Sequence, residues 1–127
     1  MQAPSLLAVI HGPFGHEAGD AVLREVARVF RTQLRADDIG CRYGGEEFTL
    51  ILPEAPLEVV RERAEQLRQA VKDTQVQERG RVLDQVTVSV GIASYPQHGT
   101  TADALLGVAD VALYKAKEDG RDRVVVA

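Results

Sequence analysis

Apolar residues recur along this chain in two rhythms. Val22, Val26, Val29 and Phe30 lie three or four apart, the spacing that lays one stripe along a helix, and they predict a helix over about 19–34. Leu57, Val60, Ala64, Leu67 and Val71 repeat the rhythm behind Pro53 and Pro56, which end one element and open a second helix. The other face of that helix, rich in Arg and Glu, reads as solvated. Leu105, Ala109, Ala112, Leu113 and Ala116 form the inward stripe of a last helix from about Thr101 to Asp119, which Gly120 stops.

The second rhythm is that of strands. Leu6 to Ile10 is a short apolar run between Pro4 and Gly12, of a length that suits a buried strand. Ile39 to Tyr43 and Phe48 to Leu52 are β-type runs joined through Gly44-Gly45, a pair that tolerates the positive φ angles of a tight hairpin. Val86, Val88, Val90 and Ile92 alternate with Thr87, Ser89 and Gly91, which predicts a half-buried strand with small residues on its second face. Asp73 to Gly80 reads as a loop or weak hairpin, and Val124 to Val126 as a final edge strand. The order β-α-β-β-α-β-α-β, with hairpins as well as crossovers, predicts an α+β fold with a mixed, mostly antiparallel sheet flanked by helices.

Composition narrows the picture. At 127 residues, 45% hydrophobic and 27% charged, residues 1–127 suit a single domain with one core, without repeat or linker. A net charge of −4 argues against coating nucleic acid, which needs a basic face, but leaves room for a small anion at a local cluster of cations. No apolar run reaches the roughly 20 residues of a membrane helix, so no direct membrane insertion is expected. The lone Cys41, which has no disulfide partner, reads as a small core residue and favours a cytoplasmic setting, within a longer sensor-linked parent or without one.

Four groups of residues can carry chemistry. Adjacent carboxylates at the hairpin, Glu46 and Glu47, can hold a hard divalent cation that keeps phosphates in its shell; taken alone, such a pair most often decorates a solvated turn. Gly44 and Gly45 let a ligand approach the backbone, or simply make the turn. Lys117 and Arg121, four apart, predict two cations on one side of a helix end, able to grip polyphosphate or merely to complement the macrodipole. Asp20 can cap a helix or accept from paired N–H donors. The three histidines form no metal cluster by spacing, and His16 reads as structural.

Arg42-Tyr43-Gly44-Gly45-Glu46-Glu47-Phe48 resembles the signature hairpin of the GGDEF domain, the diguanylate cyclase domain of bacterial signalling proteins. The resemblance extends through Gly15-His16-Glu17-Ala18-Gly19-Asp20, the Thr87-x-Ser89-x-Gly91-x-Ala93 strand, and the closing helix from Ala109 to Arg121. It implies a nucleotidyl-cyclase or palm-like fold with a ferredoxin-like βαββαβ core. The function implied is condensation of two GTP into cyclic di-GMP with release of pyrophosphate, in bacterial second-messenger signalling. Glu46 and Glu47 would then be the catalytic metal ligands, with Mg²⁺ or Mn²⁺ as cofactor. Asp20 would bind guanine, Gly44 and Gly45 would admit the substrate, and Lys117 and Arg121 would hold the triphosphate. Arg35 and Asp38 have the spacing of the family's inhibitory site for the product. Two copies must meet as a homodimer, which need form only transiently.

One segment departs from the family. Its members carry Asp-x-Asp-x-Phe-Lys on the first strand and then Asn-Asp before Gly-His, so that the first Asp binds metal and the Asn contacts guanine. Counting back from Gly15 without a gap puts Ala3 and His11-Gly12 at those places; taking Leu6 to Ile10 as the strand requires a deletion after it. Either way the N-terminal part is incomplete relative to the family. A second reading follows, a degenerate, weakly active or inactive domain that binds GTP or cyclic di-GMP as a regulatory module.

Overall fold

In the computed structural model, described over residues 5–11, 19–36, 38–42, 47–53, 56–74, 77–78, 81–82 and 86–127, both rhythms become elements of the expected kind. In chain order these are β1 (Ser5–His11), α1 (Gly19–Gln33), β2 (Ile39–Arg42), β3 (Glu47–Pro53), α2 (Leu57–Lys72), the short pair β4 (Gln77–Glu78) and β5 (Arg81–Val82), β6 (Ser89–Ser94), α3 (Ala102–Glu118) and β7 (Val124–Val126). Five strands form one sheet in the order β2-β3-β1-β6-β7, and β4 pairs with β5 apart from it. Every pairing in the large sheet is antiparallel except β6 with β7. The strand at Leu6 to Ile10 is therefore real, and it is the central strand of the sheet.

The helices divide between the two faces. On one face Val26, Val29 and Phe30 of α1 and Val60, Ala64, Leu67 and Val71 of α2 pack with Phe48, Leu50 and Leu52 of β3 and Val90 and Ile92 of β6. Each buried Val, Leu, Ile or Phe side chain of this set contributes roughly 2 kcal/mol against exposure, and Ala64 less. On the other face Leu105, Ala109 and Leu113 of α3 pack with Ala93 of β6. Thr101 starts α3 in an extended conformation, its side chain accepting from the Ala104 N–H at 3.1 Å.

Two sequence expectations change here. Strand β6 is buried along its whole length instead of on one face, because α3 closes over the small residues. Gly91 makes that approach: a Cβ there would lie 2.3 Å from the Ala109 carbonyl oxygen and 2.4 Å from the Leu113 nitrogen. The strand also begins at Ser89 instead of Val86, since its partner β1 ends at His11, which is opposite Ser89. Among the described residues no helix is long and apolar enough to cross a membrane.

Candidate functional site

The signature hairpin enters the sheet through Phe48. The residue is 5% exposed, and its ring meets Phe30 of α1 edge to face, with centroids 4.9 Å apart and planes at 85°. That contact pins the start of β3, whose first residue is Glu47. Gly44, Gly45 and Glu46 lie outside the described residues, as do Gly12 to Ala18 with His16; Cys41 is on β2, but its side chain is not among those described.

Sheet register shows what gathers beside Glu47. It is the pairing partner of His11 at the end of β1, and His11 is also the partner of Ser89 at the start of β6. Strands lie about 4.8 Å apart, so the row Glu47, His11, Ser89 spans roughly 10 Å. The buried Ser89 hydroxyl then accepts from the Asp122 N–H at 3.2 Å. The turn that follows α3 is thereby brought to the strand ends where the hairpin joins the sheet.

The two residues expected to hold phosphate, Lys117 and Arg121, flank the start of that turn and are not helical neighbours. Lys117 is the penultimate residue of α3, which ends at Glu118. Arg121 is three residues past that end, exposed, with φ of 64°. The expectation that both lie on one side of a helix end is corrected, since Gly120, with φ of 119°, turns the chain out of the helix before Arg121. The Arg121 N–H closes the turn on the Ala116 carbonyl at 2.8 Å. Asp20 is in the first turn of α1, inside the helix and not ahead of it as a cap.

Arg35 and Asp38 sit in the link from α1 to β2. The Asp38 carboxylate, with its side chain 4% exposed, accepts from the Arg35 backbone N–H at 2.7 Å and from Arg63 of α2. Burial alone would raise its pKa, but the hydrogen bonds from Arg63 and the Arg35 backbone, with the charges of both, hold it below the usual carboxylate range. The Arg35 guanidinium is exposed, acts on Asp38 through its charge, and remains able to meet an anion.

The charged face of α2 is solvated as expected at Glu58, Arg61, Glu62 and Glu65, but not at Arg63 and Arg68. Arg63 and Arg68 are each only 14% exposed, and they hold Asp38 and Asp122 respectively. Lys72 joins Arg68 on Asp122. Arg68 and Lys72 are four apart on one helix face, a spacing visible in the sequence, but their carboxylate partner is 50 or more residues away along the chain.

Among the described residues no group of three His, Cys, Asp or Glu side chains could hold a metal. The donors that fit a hard cation are the carboxylates of the signature; the position opposite Glu47 is His11, an imidazole and not an oxygen donor.

The family model described as diguanylate cyclase, GGDEF domain, matches residues 8–123, and the chain belongs to that family. It is 42% identical over 117 residues to the response regulator PleD of Caulobacter vibrioides, an alignment covering 91% of this chain and 26% of that protein. The chain thus spans about a quarter of that relative's length. Its fold is similar to the GGDEF domain of DgcB from Caulobacter crescentus, crystallised with c-di-GMP, at a TM-score of 0.89 and 33% identity, covering 97% of this chain and 77% of that one. It is also similar to the active GGEEF domain of a diguanylate cyclase from Vibrio cholerae, with a TM-score of 0.84, 28% identity, and coverage of 98% and 83%.

Proposed function

We propose that this domain condenses two molecules of GTP into cyclic di-GMP, each 3′-hydroxyl attacking the α-phosphate of the other nucleotide and pyrophosphate leaving. The observation that carries the reading is the convergence of the α3 turn, through Asp122 and Ser89, on the strand row that ends at Glu47. On this reading the cations for a triphosphate and the carboxylate for the reacting end serve one site. Membership of a family that includes active cyclases with the same Gly-Gly-Glu-Glu-Phe signature supports the same conclusion.

In this reading Asp20 accepts from the N1 and N2 donors of guanine, a pair adenine lacks. Gly44 and Gly45 admit the nucleotide against the backbone, and Lys117 and Arg121 hold its triphosphate. Glu46 and Glu47 hold the divalent cation, Mg²⁺ or Mn²⁺, which when bound neutralises charge on the phosphates and favours loss of the hydroxyl proton. A domain binds one GTP, so the reaction needs two copies face to face, and its rate rises with the square of domain concentration when the dimer is weak. Arg35, with Asp38 already oriented by Arg63, binds cyclic di-GMP as the inhibitory site.

The test is to incubate the domain with GTP and Mg²⁺ and to separate the nucleotides chromatographically. Cyclic di-GMP and pyrophosphate should accumulate, and Glu47→Gln should abolish both while stability changes by less than about 1 kcal/mol. Absence of product at high domain concentration, with cyclic di-GMP still bound in calorimetry, would replace the cyclase by a regulatory binding module.

A further inference from the structure

Past the end of α3 the chain runs through three consecutive residues of positive φ, Gly120 at 119°, Arg121 at 64° and Asp122 at 47°. Glycine takes such angles freely, whereas Arg and Asp lose stability in the left-handed region. Backbone held there persists only where its surroundings over-determine it. Hydrogen bonds supply part of the reason, from the Arg121 N–H to Ala116, from the Asp122 N–H to Ser89, and from Arg123 Nε to the Arg121 carbonyl at 3.0 Å. None of them uses the Asp122 side chain.

That side chain is held from a different helix. Arg68 Nη1 is 2.6 Å from Asp122 Oδ1, and Lys72 Nζ is 2.7 Å from Asp122 Oδ2, so each carboxylate oxygen has its own cation from α2. Arg68 is itself braced by Glu65 at 2.8 Å. The Asp122 carboxylate is 24% exposed, dry enough for these pairs to outweigh the cost of its partial burial and hold its pKa below the usual range. A helix end needs no such clamp, since Gly120 alone can terminate α3. What the clamp adds is a fixed position for the residue before Asp122, Arg121.

We infer that Asp122 is a positioning residue for the triphosphate site. Through its ion pairs with Arg68 and Lys72 it locks the left-handed turn and fixes the backbone from which Arg121 reaches the triphosphate that Lys117 also holds. The inference rests on the reading of Lys117 and Arg121 as the triphosphate grip. It makes α2, which packs on the opposite face of the sheet from α3, part of the substrate site without touching substrate.

Asp122→Asn separates this role from mere folding, because Asn also tolerates the left-handed region and has the same size but cannot neutralise two cations. GTP affinity is measured by calorimetry in the wild type, Arg121→Ala, Asp122→Asn and the double variant, with thermal melts alongside. Asp122→Asn should weaken GTP binding about tenfold where Arg121 is present and hardly at all where it is absent, since its effect passes through that residue. Equal losses in both backgrounds, or no loss in either, would overturn the inference.

Should Arg121→Ala leave GTP affinity unchanged, the triphosphate reading itself fails. The clamp is then judged by amide hydrogen exchange alone. The Arg121 N–H, bonded to Ala116, should exchange about tenfold faster in Asp122→Asn. Unchanged exchange there would show that Asp122 does not hold the turn.

Discussion

The same substitution at two glycines should have opposite signs. At Gly91 a Cβ would meet the Ala109 carbonyl oxygen at 2.3 Å, the Leu113 nitrogen at 2.4 Å and the Leu113 Cα at 2.9 Å. Ordinary contact begins about 1 Å further out, and all three atoms are helix backbone, so no side-chain rotation relieves the clash. Either α3 lifts from β6, exposing part of the packing of Leu105, Ala109 and Leu113, or the strand bends. We expect Gly91→Ala to cost about 3 kcal/mol, at the upper end for overpacking. For a domain of this size that lowers Tm by about 10 °C.

Gly107, on the exposed side of the same helix, has nothing within 4 Å of an added Cβ. Removing a helical glycine there should stabilise by about 0.5–1 kcal/mol, mainly by restricting the unfolded chain. Urea denaturation followed by circular dichroism reads both. A Gly91→Ala domain within 1 kcal/mol of wild type would refute the account of how α3 docks. On the proposed cyclase reading, in which Lys117 of α3 holds the triphosphate, a displacement of about 1 Å should lower turnover by as much as a hundredfold under conditions where the variant remains folded.

The remaining predictions concern charge and capping. Asp38 and Asp122 both have folded-state pKa values below the usual range, so their ion pairs contribute fully above the unfolded value of about 3.9 and are lost as pH falls through the lower folded values. Wild type should therefore lose its stability advantage over Asp38→Asn below about pH 4, and an advantage independent of pH from 6 to 2.5 would contradict this. Arg63→Leu leaves the nearly buried Asp38 carboxylate without its cation and should cost about 3 kcal/mol in denaturation, with the Asp38 pKa raised when followed by NMR. Thr101→Ala removes the bond to the Ala104 N–H and should cost about 1 kcal/mol, read from the same melts.

Much of this fold was legible in the residue pattern. The stripes of α1, α2 and α3 and the apolar runs of β1, β3 and β7 are local facts, because each element must bury one face and its spacing declares which. Phe48 illustrates how a motif residue can be structural, since it anchors the hairpin by packing against Phe30. The first strand was legible as a strand, but its register was not, and only pairing shows that His11 ends opposite Glu47. Burial of both faces of β6 was hidden as well. Small residues at Ser89, Gly91 and Ala93 are compatible with solvent or with a close helix, and the arrival of α3 decides between them.

By itself the sequence determined the family and the main elements, and it offered the residues proposed for phosphate, guanine and metal, all of which rest on local spacing and side-chain chemistry. Only the tertiary structure decided which charges are spent. Arg63, Arg68 and Lys72 look like a solvated helix face until the α1–β2 link and the α3 turn bring Asp38 and Asp122 against it, while Arg121 stays exposed with no side-chain partner among the described residues and the exposed Arg35 acts on Asp38 through its charge. The physical reason is distance along the chain. An ion pair between residues 25 to 54 positions apart leaves no periodicity to read, because the sheet and its helices create the proximity.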